Sequence, residues 1–397
     1  MMRRPAIPAT IATLPRRQAV PFLALFFVPG VAQAILLTVV PLEAFNLLGN
    51  ARTVTLVYVA TGLVTVAGRF SIPFLVRLIQ RRFVFTLGTL SLIASSTLLA
   101  FDRVPAFAAG LILSTFAFAC MEITSQLYLL DHVPRQALKH FEPMRIFVSA
   151  GPWTLGPWFG VYLQRSVGFA APFLIAMSTA IALLALFWWL RFGENPVLTP
   201  PRRPPLNPLR YLRRFFAQPR LVLAWALAGA RSSWWSMFYV YTPIFAVASG
   251  LGAEVGGIIV SIGTGWIWIV PLWGWVGRRF GLRRLLQGGY AAAGVLSLGI
   301  ALAFGVPWLG ATLLAMAAFG TETLDGAGNL LFLRAVHVYE RAEMTTVFVS
   351  YRDVAQLGPP AVCSVLLSLF SLPSVFVAAG AMMLGAAWLS GSIPRRL

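Results

Sequence analysis

The feature that most restricts this chain is a recurrence. Stretches of about 20 mainly apolar residues follow one another from residue 20 to residue 391, separated by short connections rich in Arg, Pro and Gly. A single stretch of this kind can be a buried helix of a soluble domain. A long succession of them cannot share one core, because each is already long enough to cross the hydrocarbon of a bilayer. The spans read 20–43, 53–76, 84–101, 106–128, 144–164, 169–190, 221–243, 255–276, 285–305, 308–331, 345–369 and 373–391. Backbone polar groups in lipid must be satisfied within the segment, so each span is a helix and open strands are excluded. The expectation is an all-α polytopic membrane protein with twelve transmembrane helices. Composition agrees: 58% of the 397 residues are apolar and 11% charged, against about 45–50% and about 25% in soluble domains.

A net charge of +19 suggests nucleic acid in a soluble protein, so the placement of the basic residues decides between readings. With the N-terminus cytoplasmic, 24 of the 31 basic residues fall in the tails or in cytoplasmic connections, and Arg52, Arg103 and Arg165 fall outside. Arg69, Arg145, Arg231 and Arg352 lie within or at the edge of spans. This asymmetry is a topology signal, reinforced by anionic headgroups, and it removes the need for a nucleic-acid partner. Both chain ends are therefore expected in the cytoplasm of an inner (plasma) membrane protein. Cys120 and Cys363 lie far apart inside spans, with neither a disulfide framework nor metal-ligand spacing. The first span is longer than a signal-peptide core and reads as a retained helix.

Residues 191–220 interrupt the pattern with NPVLTPPRRPPLNPLRYLRRFF, a Pro- and Arg-rich cytoplasmic linker. It divides the chain into six-helix bundles over 1–190 and 221–397. These halves match at an offset of 201 to 203 residues: Pro41 with Pro243, Arg77 with Arg278, Arg82 with Arg283, Glu122 with Asp325, Gln126 with Asn329, and Phe147-Val148-Ser149 with Phe348-Val349-Ser350. A shared offset over several spans indicates a duplicated six-helix unit, related by a pseudo-two-fold axis.

On these residues the chain resembles the major facilitator superfamily over essentially its full length. GWVGRRFGLRR, from Gly274, is similar to that family's signature after the eighth helix, with Gly274, Arg279, Gly281, Arg283 and Arg284 in place. Arg278 stands where the family has Asp, as does Arg77 in the first half, and Gln80 stands opposite Gly281. The resemblance implies a gating role for this loop, and the loss of the acidic residue removes its usual latch. GPWFG in the fifth span, with Gly156, Pro157 and Gly160, is similar to the Gly-Pro core of a motif associated with exporters of the drug/proton antiporter branch. That branch's Arg-bearing motif in the fourth helix is missing.

A charge at mid-helix costs about 2.5–3.5 kcal/mol on insertion scales, so each one is a candidate for function unless pairing explains it. Arg231 lies near the midplane of the seventh span, with Trp235, Phe238, Tyr239 and Thr242 at helical spacings. This face suits a planar or lipophilic solute through stacking and cation–π contacts, and the guanidinium suits an anionic group. The plainer alternative is an interhelical salt bridge with aromatic packing. Glu322 and Asp325 are three apart on the tenth span, among Gly320, Gly326 and Gly328. Neighbouring carboxylates repel in a low dielectric, which makes the pair a candidate for proton uptake and release, unless Arg231 or Arg352 neutralises it. Glu122 is a second titratable candidate. Gln33, Gln126 and Asn329 are polar candidates for substrate contact, because the resemblance implies that spans 1, 4, 7 and 10 line a central cavity.

The leading expectation is a secondary-active transporter working by alternating access, exporting small amphipathic organic molecules against protons. An importer or exchanger of organic anions built on Arg231 and Arg352 is the alternative. A non-transporting sensor on the same fold is a third reading. Neither a nucleophile with its base nor a phosphate-binding loop occurs at credible spacing, so an enzyme is not expected. No cofactor or metal is expected. The partners implied are a small solute, protons and lipid, with the protein acting as a monomer.

Overall fold

The computed structural model of the chain describes residues 16–132, 135–189, 208–327, 329–337 and 340–393. Every element in them is helical. In chain order they are α1 (Arg16–Leu48), α2 (Ala51–Leu99), α3 (Val104–His132), α4 (Arg135–Ser166), α5 (Ala171–Trp189), α6 (Pro208–Phe216), α7 (Pro219–Ala248), α8 (Ala253–Gly265), α9 (Val270–Phe280), α10 (Leu282–Leu302), α11 (Pro307–Ala327), α12 (Leu330–Ala335), α13 (Arg341–Phe348), α14 (Tyr351–Leu369) and α15 (Pro373–Ser390). Among the described residues, eight segments are long and apolar enough to cross a membrane on their own composition: Leu23–Leu48, Ala51–Val76, Leu78–Leu99, Val104–Leu129, Ala171–Trp189, Ala253–Gly277, Leu282–Leu302 and Pro373–Ser390. The other spans expected from sequence fall on α4, α7, α11 and the α13–α14 pair, which carry Arg145, Arg231, Glu322 with Asp325, and Arg352 with Asp353.

Spans 53–76 and 84–101 are two helical segments of α2, separated by the non-helical backbone of Gln80 (φ 66°, ψ 154°). The helix ends correct the expected spans in three places. Span 255–276 is broken: α8 gives way to a 3₁₀ turn over Trp266–Ile269 before α9 begins. Pro271 in the first turn of α9 has no N–H to give to the preceding turn, which favours the tighter winding there. Span 308–331 ends at Ala327, where Gly326 weakens the helix, and α12 starts afresh at Leu330. Span 345–369 is divided at Val349-Ser350, after the β-branched run Thr345-Thr346-Val347.

The chain forms two compact units, Met1–Leu37 with Val64–Leu198, and Thr38–Leu63 with Thr199–Leu397. In the first, α2 and α3 pack through Ile72, Val84, Ala119 and Cys120. Gly88 makes this approach possible, since a Cβ there would lie 2.7 Å from that of Cys120. α4 meets α1 as closely: a Cβ on Gly156 would lie 2.5 Å from the Cβ of Ala34 and 2.9 Å from its carbonyl carbon. Small residues at such seams replace the hydrophobic drive that lipid does not supply between helices. In the second unit, α10 lies against α11 and α15, and α7 against α8 and α14. Gly320 abuts Ala293, and Gly380 abuts Leu298 and the carbonyl of Gly294. Trp234 Nε1 donates to Ser297 Oγ at 3.0 Å, tying α7 to α10. The start of α2 belongs to this unit, where the hydroxyls of Thr55 and Tyr241 are 2.8 Å apart.

Candidate functional site

α7 presents Arg231, Trp235 and Tyr239 at intervals of four residues, so they form one stripe. α11 presents Glu322 and Asp325 one turn apart toward it. Arg231 Nε lies 3.3 Å from Asp325 Oδ1, with the arginine side chain 10% exposed and the aspartate 35%. The other Asp325 oxygen, Oδ2, accepts from Trp235 Nε1 at 2.8 Å. Arg231 Nη1 donates to the Leu324 carbonyl at 3.1 Å, and the Tyr351 side chain is a further hydrogen-bond partner of the guanidinium. Tyr290 of α10, whose hydroxyl donates to the Leu227 carbonyl at 2.6 Å, stands close enough to act electrostatically on Arg231. The pair is therefore internally neutral, and its hydrogen-bonding groups face protein partners.

Glu322 differs from it. The residue is 5% exposed and its Oε2 has no hydrogen-bond partner. Both carboxylates lie within electrostatic reach of the Tyr239 hydroxyl. Buried polar atoms normally find a partner, and a buried ionised carboxylate without one is costly. Glu322 is thus the carboxylate of this cluster with an oxygen that no hydrogen bond reaches, although Arg231 lies within its electrostatic reach.

The aromatic stripe divides. Trp235 and Tyr239 stack at 5.4 Å with 21° between ring planes, beside the carboxylates. Phe238 is buried instead, stacked on Trp234 at 5.1 Å and pressed against Gly263 of α8. Asn329, at the start of α12, lines a small void beside Arg231. Thr242 is buried, and its hydroxyl has no hydrogen-bond partner.

The candidates of the first unit are described separately. Glu122 of α3 lies 4.0 Å from Arg69 of α2, with side chains 51% and 30% exposed. Gln33 of α1 and Gln126 of α3 are half-buried, and next to Gln126 the buried Ser125 hydroxyl has no partner. Gly156, Pro157 and Gly160 are buried in α4, with Gly156 at the seam with α1. The side chains of Arg77 and Arg278 lie outside the described residues, as does Gly328. Arg82 covers the Phe83 ring at 4.8 Å, and Arg279 covers Trp275 at 5.3 Å. Gly274 is half-buried in α9. Gly281 joins α9 to α10 with φ +90°, and Arg283 reaches the Gly391 region after α15.

Three participants escaped the sequence reading. Tyr290 and Tyr351 are ordinary aromatic residues within spans, and the hydroxyl contact to Arg231 that distinguishes Tyr351 is visible in three dimensions alone. The third is Glu340. It is buried and bonded to Arg214 of α6 and, through Oε2, to Gln218 Nε2 at 3.2 Å. Its signal was available: an acidic residue in a connection otherwise rich in Arg, facing an Arg-rich linker.

A helical chain with many membrane-length spans, two compact helical units and ionised side chains inside one of them has the makeup of a polytopic secondary transporter. The family model for the Major Facilitator Superfamily matches residues 21–359, and the chain belongs to that family. Its fold is similar to those of solved transporters. A POT family transporter in complex with 5-aminolevulinic acid aligns with TM-score 0.73 at 14% identity, over 96% of this chain and 98% of that one. The nucleoside transporter NupG aligns with TM-score 0.73 at 14% identity, over 94% and 98%. A D-xylose-proton symporter aligns with TM-score 0.69 at 13% identity, over 95% and 98%. No curated protein is matched.

Proposed function

We propose that this chain is a proton-coupled secondary transporter that exports small amphipathic organic molecules by alternating access, with Glu322 as the proton-carrying carboxylate. The observation that carries the reading is the contrast on α11. Asp325 is matched by Arg231 and Trp235, whereas one turn away Glu322 is buried with an oxygen that has no hydrogen-bond partner, within electrostatic reach of Tyr239. A carboxyl group in that position is accommodated when neutral and costly when ionised. Its proton occupancy therefore depends on whether water or solute reaches it, and that dependence is what couples a proton to a conformational cycle. A D-xylose-proton symporter among the similar structures supports a proton as the driving ion. Gly156 and Pro157 of α4, within the exporter-like GPWFG segment, support the drug/proton antiporter branch and outward transport. The basic connections support an inner membrane location with cytoplasmic ends.

The organic-anion reading gains less from the geometry. Arg231 is already occupied by Asp325, the Leu324 carbonyl and Tyr351. In this account it is the residue that holds Asp325 and shapes the site, and Trp235 with Tyr239 supplies the surface for a solute. The test is proton release on solute binding. Amphipathic dyes added to the purified protein are expected to release protons into weakly buffered detergent solution, and Glu322→Gln is expected to abolish that release while dye binding persists. Uptake of organic anions that moves no proton and is lost in Arg231→Gln would overturn the proposal.

A further inference from the structure

The second unit contains a small void on the other side of Arg231 from the aromatic stripe. It has a volume of ≈ 20 Å³ and is bounded by Leu227, Ala228, Tyr290, Leu324, Ala327 and Asn329, with the Arg231 guanidinium as its charged wall. About 10–15 Å³ is enough for one water, provided polar groups receive it. Here Arg231, Tyr290 and Asn329 are the lining residues with polar side chains.

Two further rings bound the void, Phe332 of α12 and Phe348 of α13. They stack face to face at 4.0 Å with 14° between planes, and both are 2% exposed. Their helices are the two short ones created by the interruptions after Ala327 and at Val349-Ser350. The Phe348 ring also packs on Tyr351 at 5.1 Å, and Tyr351 is the hydrogen-bond partner of Arg231. The stack that bounds the void thus touches the residue that helps hold the buried arginine. Along α7, Ala224, Leu227 and Ala228 of the void precede Arg231, whereas Trp235 and Tyr239 follow it.

We propose that this void is a water site through which protons reach the Arg231, Asp325 and Glu322 cluster from the α12–α13 end of the unit, with the Phe332–Phe348 stack as its plug. The proposal rests on the proton-coupled reading above and adds to it that proton and solute approach the cluster from opposite directions along α7. The interruptions in α11 and α13–α14 then have a use: they let two short helices carry the plug and move it without unwinding a long one.

The test is thiol accessibility. In protein carrying Cys120→Ala and Cys363→Ala, an Ala327→Cys thiol is treated with a cationic, water-soluble methanethiosulfonate. Phe332→Ala is expected to raise the labelling rate by about tenfold or more, and complete labelling is expected to stop proton movement while dye binding is retained. An unchanged labelling rate in Phe332→Ala, or undiminished proton movement after complete labelling, overturns the proposal. Ala228→Cys serves as a second position should Ala327→Cys fail to fold. The labelling rate is read without solute or gradient. A Glu322→Gln protein that still moves protons would therefore defeat the transport reading and leave the accessibility result standing.

Discussion

Gln80 and Gly281 stand at corresponding turns of the two halves, and both have positive φ: 66° with ψ 154° at Gln80, and 90° with ψ 143° at Gly281. Glycine enters that region at no steric cost, whereas a residue with a Cβ is strained by about 1–3 kcal/mol. Among the described residues Gln80 is the non-glycine with positive φ. The duplicated loop thus has the same backbone path in both halves and keeps glycine in the second. Gln80→Gly is expected to raise the melting temperature of the detergent-solubilised protein, by an amount equivalent to about 1 kcal/mol. A lower melting temperature would show that the Gln80 side chain contributes more than the turn costs.

The Arg231–Asp325 pair joins α7 to α11 inside the second unit. Removing one partner from a buried pair leaves a charge without compensation, at about 3–5 kcal/mol when burial is complete. Asp325 is 35% exposed, so the effect is discounted for solvent screening to about 2 kcal/mol. Arg231→Met and Asp325→Leu are each expected to destabilise the protein, and the double variant less than the two changes added together. Melting temperatures of the four proteins in a double-mutant cycle measure this; strict additivity would contradict it.

Gly156 tests the seam between α4 and α1. A methyl there meets both the Cβ and the backbone of Ala34, so Gly156→Ala must separate the helices. Overpacking of this kind costs about 1–3 kcal/mol. Ala34→Gly, which removes the nearer of the contacts, is expected to recover part of the loss without restoring all of it, because the backbone contact remains. Thermal unfolding of the single and double variants provides the measurement.

Much of this arrangement was legible in the sequence because it depends on local patterns. Span length, the basic connections and the repeat offset each follow from a period or a composition, and they gave the helical membrane fold. Intramembrane charges are costly enough to be conspicuous, which brought Arg231, Glu322 and Asp325 forward together. Which carboxylate Arg231 would take was not legible. Asp325 and Glu322 both lie more than 90 positions away, and the choice depends on how α7 and α11 pack. The helix interruptions were hidden for a different reason. A hydropathy window averages over the 3₁₀ turn at Trp266–Ile269 and over the Val349-Ser350 break, since both are as apolar as the helices beside them. The strained turn at Gln80 was half-visible, as the position opposite Gly281, but the repeat alone does not say that the backbone kept the glycine conformation after the glycine was gone.

The central claim is that Glu322 carries the coupling proton. The most direct measurement is pH-gradient-driven flux of a panel of amphipathic dyes in proteoliposomes, comparing the wild type with Glu322→Gln. The account predicts that gradient-driven flux falls to the level of empty vesicles in Glu322→Gln, while gradient-independent exchange of the same dye across the membrane persists. Gradient-driven flux of wild-type magnitude in Glu322→Gln would contradict it.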